Sequence, residues 1–230
     1  MQRDLKEFEQ KIGIEFNDKK LLKVAFTHRS WINEHKHSGM EHNERLEFLG
    51  DAVLELAVTD FLFEKYPKTP EGELTAYRSA LVNTTSNSDA AQKLGMNDFL
   101  LLSRGESKDT GRARMYILAN AFEALIGAIY LDQGYDVAEE FIAKNVYYKV
   151  DDIVKNRLWQ DAKSHFQEKA QEVHGITPTY KLVDESGPDH DKKFIVAVLV
   201  GNEQVALGSG KSKQEAEQSA ARKGLENKGW

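Results

Sequence analysis

Residues 42–54 of the chain read His-Asn-Glu-Arg-Leu-Glu-Phe-Leu-Gly-Asp-Ala-Val-Leu. The carboxylates Glu44, Glu47 and Asp51 are spaced so that they share one face of an α-helix. Apolar residues fill the positions between them, so the stretch predicts a helix with an acidic face beside a core face. Such a face is most often simply solvated. It would also suit a hard divalent cation, which prefers oxygen ligands.

A second informative stretch covers residues 119–131 and reads Ala-Asn-Ala-Phe-Glu-Ala-Leu-Ile-Gly-Ala-Ile-Tyr-Leu. It is apolar nearly all round, which predicts a buried helix. Glu123 stands alone in its middle, with Asn120 one turn before it. A buried carboxylate needs a partner, and either an arginine (Arg45 or Arg78) or a metal ion shared with the first helix would serve.

Together these stretches resemble the signature of the ribonuclease III family. The match is close over residues 42–54 and continues through 27–30, 71–74, 78–82, 104–106 and 117–124. The C-terminal part resembles a double-stranded-RNA-binding domain. This order is typical of a bacterial ribonuclease III, and it implies an all-α catalytic domain followed by a small α+β domain of order α-β-β-β-α.

The resemblance also implies the active-site residues. Glu44, Glu47, Asp51 and Glu123 would serve catalysis, and Glu47, Asp51, Asn120 and Glu123 would bind Mg²⁺, with Mn²⁺ as a substitute. The family usually has Asp at the position of Asn120. An amide oxygen can still bind Mg²⁺ but lacks charge, so we expect weaker metal binding without loss of activity.

The implied reaction is hydrolysis of double-stranded RNA that leaves 5′-phosphate and 3′-hydroxyl ends with two-nucleotide 3′ overhangs. The catalytic domain would form a homodimer, and the substrates would be structured ribosomal, messenger and transfer RNA precursors. Glu71 and Arg78 match positions that handle RNA near the cut, although an ion pair of Arg78 with Glu71 or Glu73 is an equal alternative. Tyr116 is a further departure from the family pattern.

Composition is compatible with this function without demanding it. The chain has 230 residues, 40% hydrophobic and 30% charged, with no cysteine. This predicts a folded protein without disulfides or thiolate zinc sites. The first residues are charged and lack the apolar segment of a secretory signal, so we expect a cytoplasmic protein with no membrane partner. The net charge of −6 means that any RNA-binding surface depends on the placement of charge.

Periodicity divides the chain into a helical part and a mixed part. In the first part, helices are predicted over residues 5–12, 19–27, 43–66, 73–94, 114–133 and 136–150. In the second, a helix over 161–173 precedes strands over 179–184, 193–200 and 204–208 and a helix over 212–228. The predicted domains are 1–152 and 161–230, joined by a linker over 153–160.

The second domain carries the features of a duplex-RNA reader. Lys211 and Lys213 lie at the start of its last helix, where a phosphate would offset their charge; two solvated lysines are the simpler alternative. The resemblance assigns RNA contacts to a wider set, namely Gln167, Glu168, His190, Lys192, Lys211 and Lys213. Such domains recognise the A-form shape, the 2′-hydroxyls and the phosphates.

Two other functions remain open at this level. A non-catalytic double-stranded-RNA-binding regulator would follow if Asn120 marks an eroded metal site. A metal-dependent hydrolase of small phosphorylated substrates would explain the acidic helices but would not need the C-terminal domain.

Overall fold

A computed structural model describes residues 4–159, 161–188 and 192–230. The chain divides after Trp159 into two compact units, each with its own hydrophobic core. The first unit is helical and the second has the order helix, three strands, helix. This confirms the predicted fold class.

The described part of the first unit contains nine α-helices. They are α1 (Leu5–Ile12), α2 (Lys19–Ala25), α3 (Arg29–Glu34), α4 (Glu44–Lys65), α5 (Glu71–Leu81), α6 (Thr84–Lys93), α7 (Arg112–Gln133), α8 (Tyr135–Asn145) and α9 (Val150–Lys155). Short 3₁₀ turns follow α6, precede α7 and connect α8 to α9.

The prediction of one helix over residues 73–94 is wrong, because α5 and α6 are separate there. The side chain of Asn83 accepts a hydrogen bond from the backbone amide of Ser86 at 2.9 Å, which caps a new helix. Helix α3 was not predicted at all. Its six residues are too few for a periodic pattern, and it begins where the His28 side chain accepts from the amide of Ser30.

Helix α7 forms the centre of the first unit. By length and composition alone it could cross a membrane, but most of its side chains are buried against other helices. Its most extensive partner in the described chain is α4. Phe122, Leu125 and Ile129 are fully buried in the same core as Leu54 and Val58 of α4. The two acidic stretches of the sequence therefore lie on helices that pack together.

Residues 153–159 differ from the predicted linker. Ile153 is buried in the helical core, and the ring of Trp159 packs edge-on against Tyr77 at 5.0 Å between centroids. Composition did not locate this boundary, because the segment contains neither proline nor glycine. The first unit therefore extends through Trp159.

The second unit consists of α10 (Ala162–His174), β1 (Thr179–Ser186), β2 (Lys193–Val200), β3 (Glu203–Gly210) and α11 (Lys213–Lys228). The sheet is antiparallel in the order β1-β2-β3. Its core joins Val198 of β2 to Phe166 of α10 and Ala220 of α11. A Cβ atom at Gly208 would overlap the backbone of α11, so this glycine allows the helix to lie close to the sheet.

Candidate active site and RNA interface

Two glycines bring the acidic stretches together where α4 crosses α7. A Cβ atom at Gly50 would overlap the backbone carbonyl of Glu123, and one at Gly127 would overlap the carbonyl of Leu46. The backbones are therefore closer than any other residue would allow. Since Glu47 and Asp51 flank Gly50, both carboxylates lie beside the segment of α7 that carries Glu123.

At this crossing, burial and repulsion between like charges disfavour the charged forms of the α4 carboxylates. Burial raises the pKa of Glu47, repulsion from Glu44 and Asp51 adds to the rise, and a hydrogen bond with Asn120 opposes it. Burial also raises the pKa of Asp51, with repulsion from Glu55 as a further cause. These interactions place Asn120 within reach of Glu47, as the shared metal site in the sequence prediction requires.

Glu123 is the most perturbed of the group. Burial raises its pKa to about 7, and repulsion from Asp51 and Glu47 adds to the rise. No arginine neutralises it within the described residues: Arg78 instead donates to the hydroxyl of Thr59 at 3.0 Å. The arginine partner considered from the sequence is therefore wrong for Arg78, and a bound cation remains the group that would relieve the repulsion.

The partner that Glu123 does have was not predicted. Asn87 of α6 is 1% exposed, and its Nδ2 donates to Oε1 of Glu123 at 2.8 Å. Its Oδ1 is buried without a hydrogen-bond partner in the described structure. The sequence contains an indication that Asn87 is buried, because it stands three and four residues before Ala90 and Ala91 and so shares their buried helix face.

Glu44 differs from the other acidic residues because it lies beside two basic side chains. Its Oε1 pairs with Nη1 of Arg29 at 3.1 Å, and its Oε2 lies 3.8 Å from Nδ1 of His42. Arg29 thus bridges to the first turn of α4, and His28 caps α3.

Glu71 and Arg78 line one surface cavity of about 430 Å³ between α4 and α5. Glu71 accepts a hydrogen bond from the hydroxyl of Thr75 at 3.0 Å. Among the described residues Arg78 forms no ion pair with Glu71 or Glu73, so the structural alternative for this arginine is wrong. The guanidinium keeps hydrogen-bonding capacity for another group.

The donor chemistry of the crossing fits a hard divalent cation. Three carboxylates and one amide supply oxygen atoms, and burial and mutual repulsion raise the pKa values of the carboxyl groups. In the part of the chain that the structure describes, no three His, Cys, Asp or Glu side chains converge tightly enough to hold a metal ion. The side chains are thus close enough to interact but are not arranged as a closed coordination shell.

The start of α11 is capped within the protein. The hydroxyl of Ser212 accepts from the amide of Glu215 at 3.1 Å, and the Glu215 carboxylate accepts from the amide of Lys211 at 2.8 Å. Lys211 and Lys213 have exposed side chains. Gly208 and Gly210 both make room for α11, because a Cβ atom at either position would overlap that helix.

The remaining predicted RNA contacts lie on the surface of the second unit where they are described. Gln167 and Glu168 are exposed on α10. Lys192 pairs with Glu185 at 2.8 Å. His190 lies outside the described residues. The structure thus places Gln167, Glu168 and Lys192 at the surface.

Comparison with known proteins finds a matching family model for each of the two units. Residues 18–150 match the model of the Ribonuclease-III-like family, and residues 162–228 match the Double-stranded RNA binding motif. The chain belongs to the ribonuclease III family. Members of this family are double-strand-specific endoribonucleases, and the second match supports binding of double-stranded RNA. The resemblance seen in the sequence is thereby confirmed.

Curated relatives extend the match over nearly the whole chain. It is 46% identical over 226 residues to Ribonuclease 3 of a Nitratiruptor species, covering 97% of this chain and 96% of the relative. It is 47% identical over 220 residues to Ribonuclease 3 of Bacillus cereus, covering 96% of this chain and 89% of that relative.

A solved structure resembles the helical unit of this ribonuclease III family member. It is the nuclease domain of ribonuclease III from Campylobacter jejuni, described as flexible in a region involved in dimer formation. The TM-score is 0.55 and the identity 42%, with 62% of this chain and 98% of that chain covered.

Proposed function

We propose that this chain is a magnesium-dependent endoribonuclease that hydrolyses double-stranded RNA at the crossing of α4 and α7. The observation that carries the proposal is that Glu123 is half-buried among other carboxylates with no cationic partner in the described chain. Its pKa is raised to about 7 beside two further carboxylates, and no cationic side chain of the described residues relieves the repulsion. A divalent cation bound at this position would relieve the repulsion between the carboxylates, so the perturbed group indicates a metal-dependent active site.

Glu47, Asp51, Asn120 and Glu123 would hold the metal. When bound, Mg²⁺ supplies Lewis-acid activation of water and neutralises charge at the phosphate, and Mn²⁺ substitutes for it. Asn87 orients the carboxylate of Glu123 through its hydrogen bond. Arg29 holds Glu44 at the first turn of α4, which keeps that helix end in place. The products carry 5′-phosphate and 3′-hydroxyl ends.

The proposed enzyme is a homodimer of helical units. Phe48 on α4 is 83% exposed, and Leu56 and Phe63 of the same helix are also exposed. Phe48 borders a cavity of about 690 Å³ that includes Leu21 and Leu131. Large exposed apolar side chains beside a cavity indicate an interface, and a two-fold axis would pair this patch with itself. Two sites across one duplex account for two-nucleotide 3′ overhangs.

The second unit docks the duplex. Its exposed Lys211 and Lys213 at the start of α11 suit phosphates, and Gln167 and Glu168 on α10 suit 2′-hydroxyls. The substrates we propose are structured precursors of ribosomal, messenger and transfer RNA, cleaved in the cytoplasm. A module that reads duplex shape gives no reason to expect a small phosphorylated substrate.

The test is a cleavage assay on an RNA duplex of about 30 base pairs, longer than the roughly 16 that one such domain spans. Wild type and Glu123→Gln are compared with and without Mg²⁺. Glutamine keeps the oxygen that accepts from Asn87 but removes the charge. We expect magnesium-dependent cutting by the wild type only, with equal duplex binding by both proteins.

Either of two results would contradict the proposal. Binding without cutting by the wild type would favour a non-catalytic duplex-binding regulator and would point to Asn120 as the cause. Cutting that survives in Glu123→Gln would place the metal elsewhere.

A further inference from the structure

The face of α7 that carries Glu123 continues outward beyond the crossing. At 3.6 residues per turn, Arg112, Tyr116, Asn120, Glu123 and Gly127 fall within an arc of about 80°. Burial rises along this row. Arg112 and Tyr116 are exposed, Asn120 and Glu123 are half-buried, and Gly127 is buried against α4. The row is therefore one open surface that leads from solvent to the proposed site.

Two side chains at the outer end of this row form a pair. The guanidinium carbon of Arg112 lies 5.9 Å from the ring centroid of Tyr116, within the range of a cation–π contact. Tyr116 is 45% exposed, whereas the next residue, Ile117, is buried. The ring is thus not required by the core, and the pair presents a charge and a phenol hydroxyl to solvent.

Within the described ranges, the contact of Arg112 is with the ring of Tyr116, which takes up none of its N–H donors. The nearby Arg114 differs, since it donates to Oδ1 of Asn97 at 2.7 Å and to the carbonyl of Glu106 at 2.6 Å. Arg114 fixes the loop before α7, and Arg112 remains available to an anion.

We propose that Arg112 and Tyr116 bind the ribose–phosphate backbone of the duplex beside the cleavage site. This inference rests on the proposed function. The rise of 1.5 Å per residue places Tyr116 about 10 Å along the helix from Glu123, a separation of a few nucleotides. The guanidinium suits a phosphate, and the phenol can donate to a phosphate oxygen or a 2′-hydroxyl. The pair positions RNA and does not take part in the chemistry.

The test measures kcat, KM and salt dependence for the full chain on the same RNA duplex, using Arg112→Gln and Tyr116→Ser. Tyr148→Ser is the matched control, because Tyr148 is also exposed and lies beneath a lysine, with Nζ of Lys93 5.0 Å from its ring centroid. Both test positions are exposed, so circular dichroism should show an unchanged fold.

We expect both test variants to raise KM about three- to tenfold, with kcat within about twofold of wild type. For Arg112→Gln, the slope of log Kd against log salt should fall by about one, as for one lost phosphate contact. Tyr148→Ser should match wild type in all three measurements.

Three results would overturn the inference while wild type still cuts RNA. The first is that the test variants have the same KM and salt slope as the control. The second is that only kcat falls. The third is that the dimer is weakened, because the pair would then contact the partner chain and not the RNA. A wild type that does not cut duplex RNA would instead refute the proposed function.

Discussion

The hydrogen bond between Asn87 and Glu123 is the residue-scale feature that most affects the site. It lowers the pKa of a carboxylate that burial and two like charges raise to about 7. The amide is held in place because Asn87 is buried on α6, and the preceding residue is anchored by Lys149. That lysine donates to the carbonyl and the hydroxyl of Ser86 at 2.9 and 2.8 Å. Asn87 is therefore a positioning residue for Glu123.

Replacing Asn87 by alanine should reduce duplex cleavage at pH 7 about tenfold, because a hydrogen bond to a charged group contributes on the order of 1.5–3 kcal/mol. The pKa of Glu123 should rise further, so the acidic limb of the pH–rate profile should move to higher pH. The control is Ser88→Ala on the same helix, since the Ser88 hydroxyl is buried without a partner in the described structure. A profile that stays in place for Asn87→Ala would contradict this role.

The raised pKa of Glu123 also predicts how stability depends on pH without metal. The folded state holds the proton up to about pH 7, whereas the unfolded chain releases it near 4.5. Stability should therefore fall as pH rises from about 4.5 to 7. Glu123→Gln removes this loss and should be more stable at pH 8 by up to about 3 kcal/mol. Urea unfolding at pH 5 and pH 8 measures the difference, and an equal effect at both pH values would count against it.

The packing of α4 on α7 is the feature that matters at the scale of elements. Gly50 and Gly127 let the two backbones touch, and this contact sets the distance between the carboxylates of one helix and those of the other. Each helix is apolar over most of its surface and would be buried in many arrangements. The glycines select the arrangement in which the acidic residues meet.

A methyl group at this contact should therefore disrupt both fold and activity. Gly50→Ala would force its Cβ into the Glu123 carbonyl, where no flexible side chain can yield. We expect a loss of at least about 3 kcal/mol of stability and loss of cleavage. Gly72→Ala in α5 is the control, because its Cβ would meet open space and alanine favours helices. Thermal unfolding that shows no difference between the two variants would refute the role of the close contact.

At the scale of the whole molecule, the proposed homodimer would cover the exposed apolar surface of α4 with a second copy. Phe48→Lys should give a folded monomer, because the side chain is 83% exposed in one chain but would place two like charges in a two-fold interface. Val183→Lys, at an exposed position of β1, is the control and should remain dimeric. Sedimentation velocity measures the mass. A Phe48→Lys protein that stays at the mass of two chains would exclude this face as the interface.

Much of this molecule follows from the sequence. The spacing of Glu44, Glu47 and Asp51 correctly predicts that α4 is a helix, because it places the three carboxylates on one face with apolar residues between them. The stretch around Glu123 correctly predicts a buried helix, because it is apolar nearly all round. The predicted order of a helix, three strands and a helix agrees with the second unit. These are local properties, which the order of residues determines by itself.

Only the tertiary structure decided which groups meet. Asn87 lies 36 positions before Glu123, and no local pattern shows that α6 delivers its amide to that carboxylate. The same holds for Arg78, which takes Thr59 as its partner, and for Trp159, which extends the first unit through a contact with Tyr77. Such pairs depend on helix crossings set by close packing over the whole core, because contact between distant positions is fixed by shape and not by spacing along the chain.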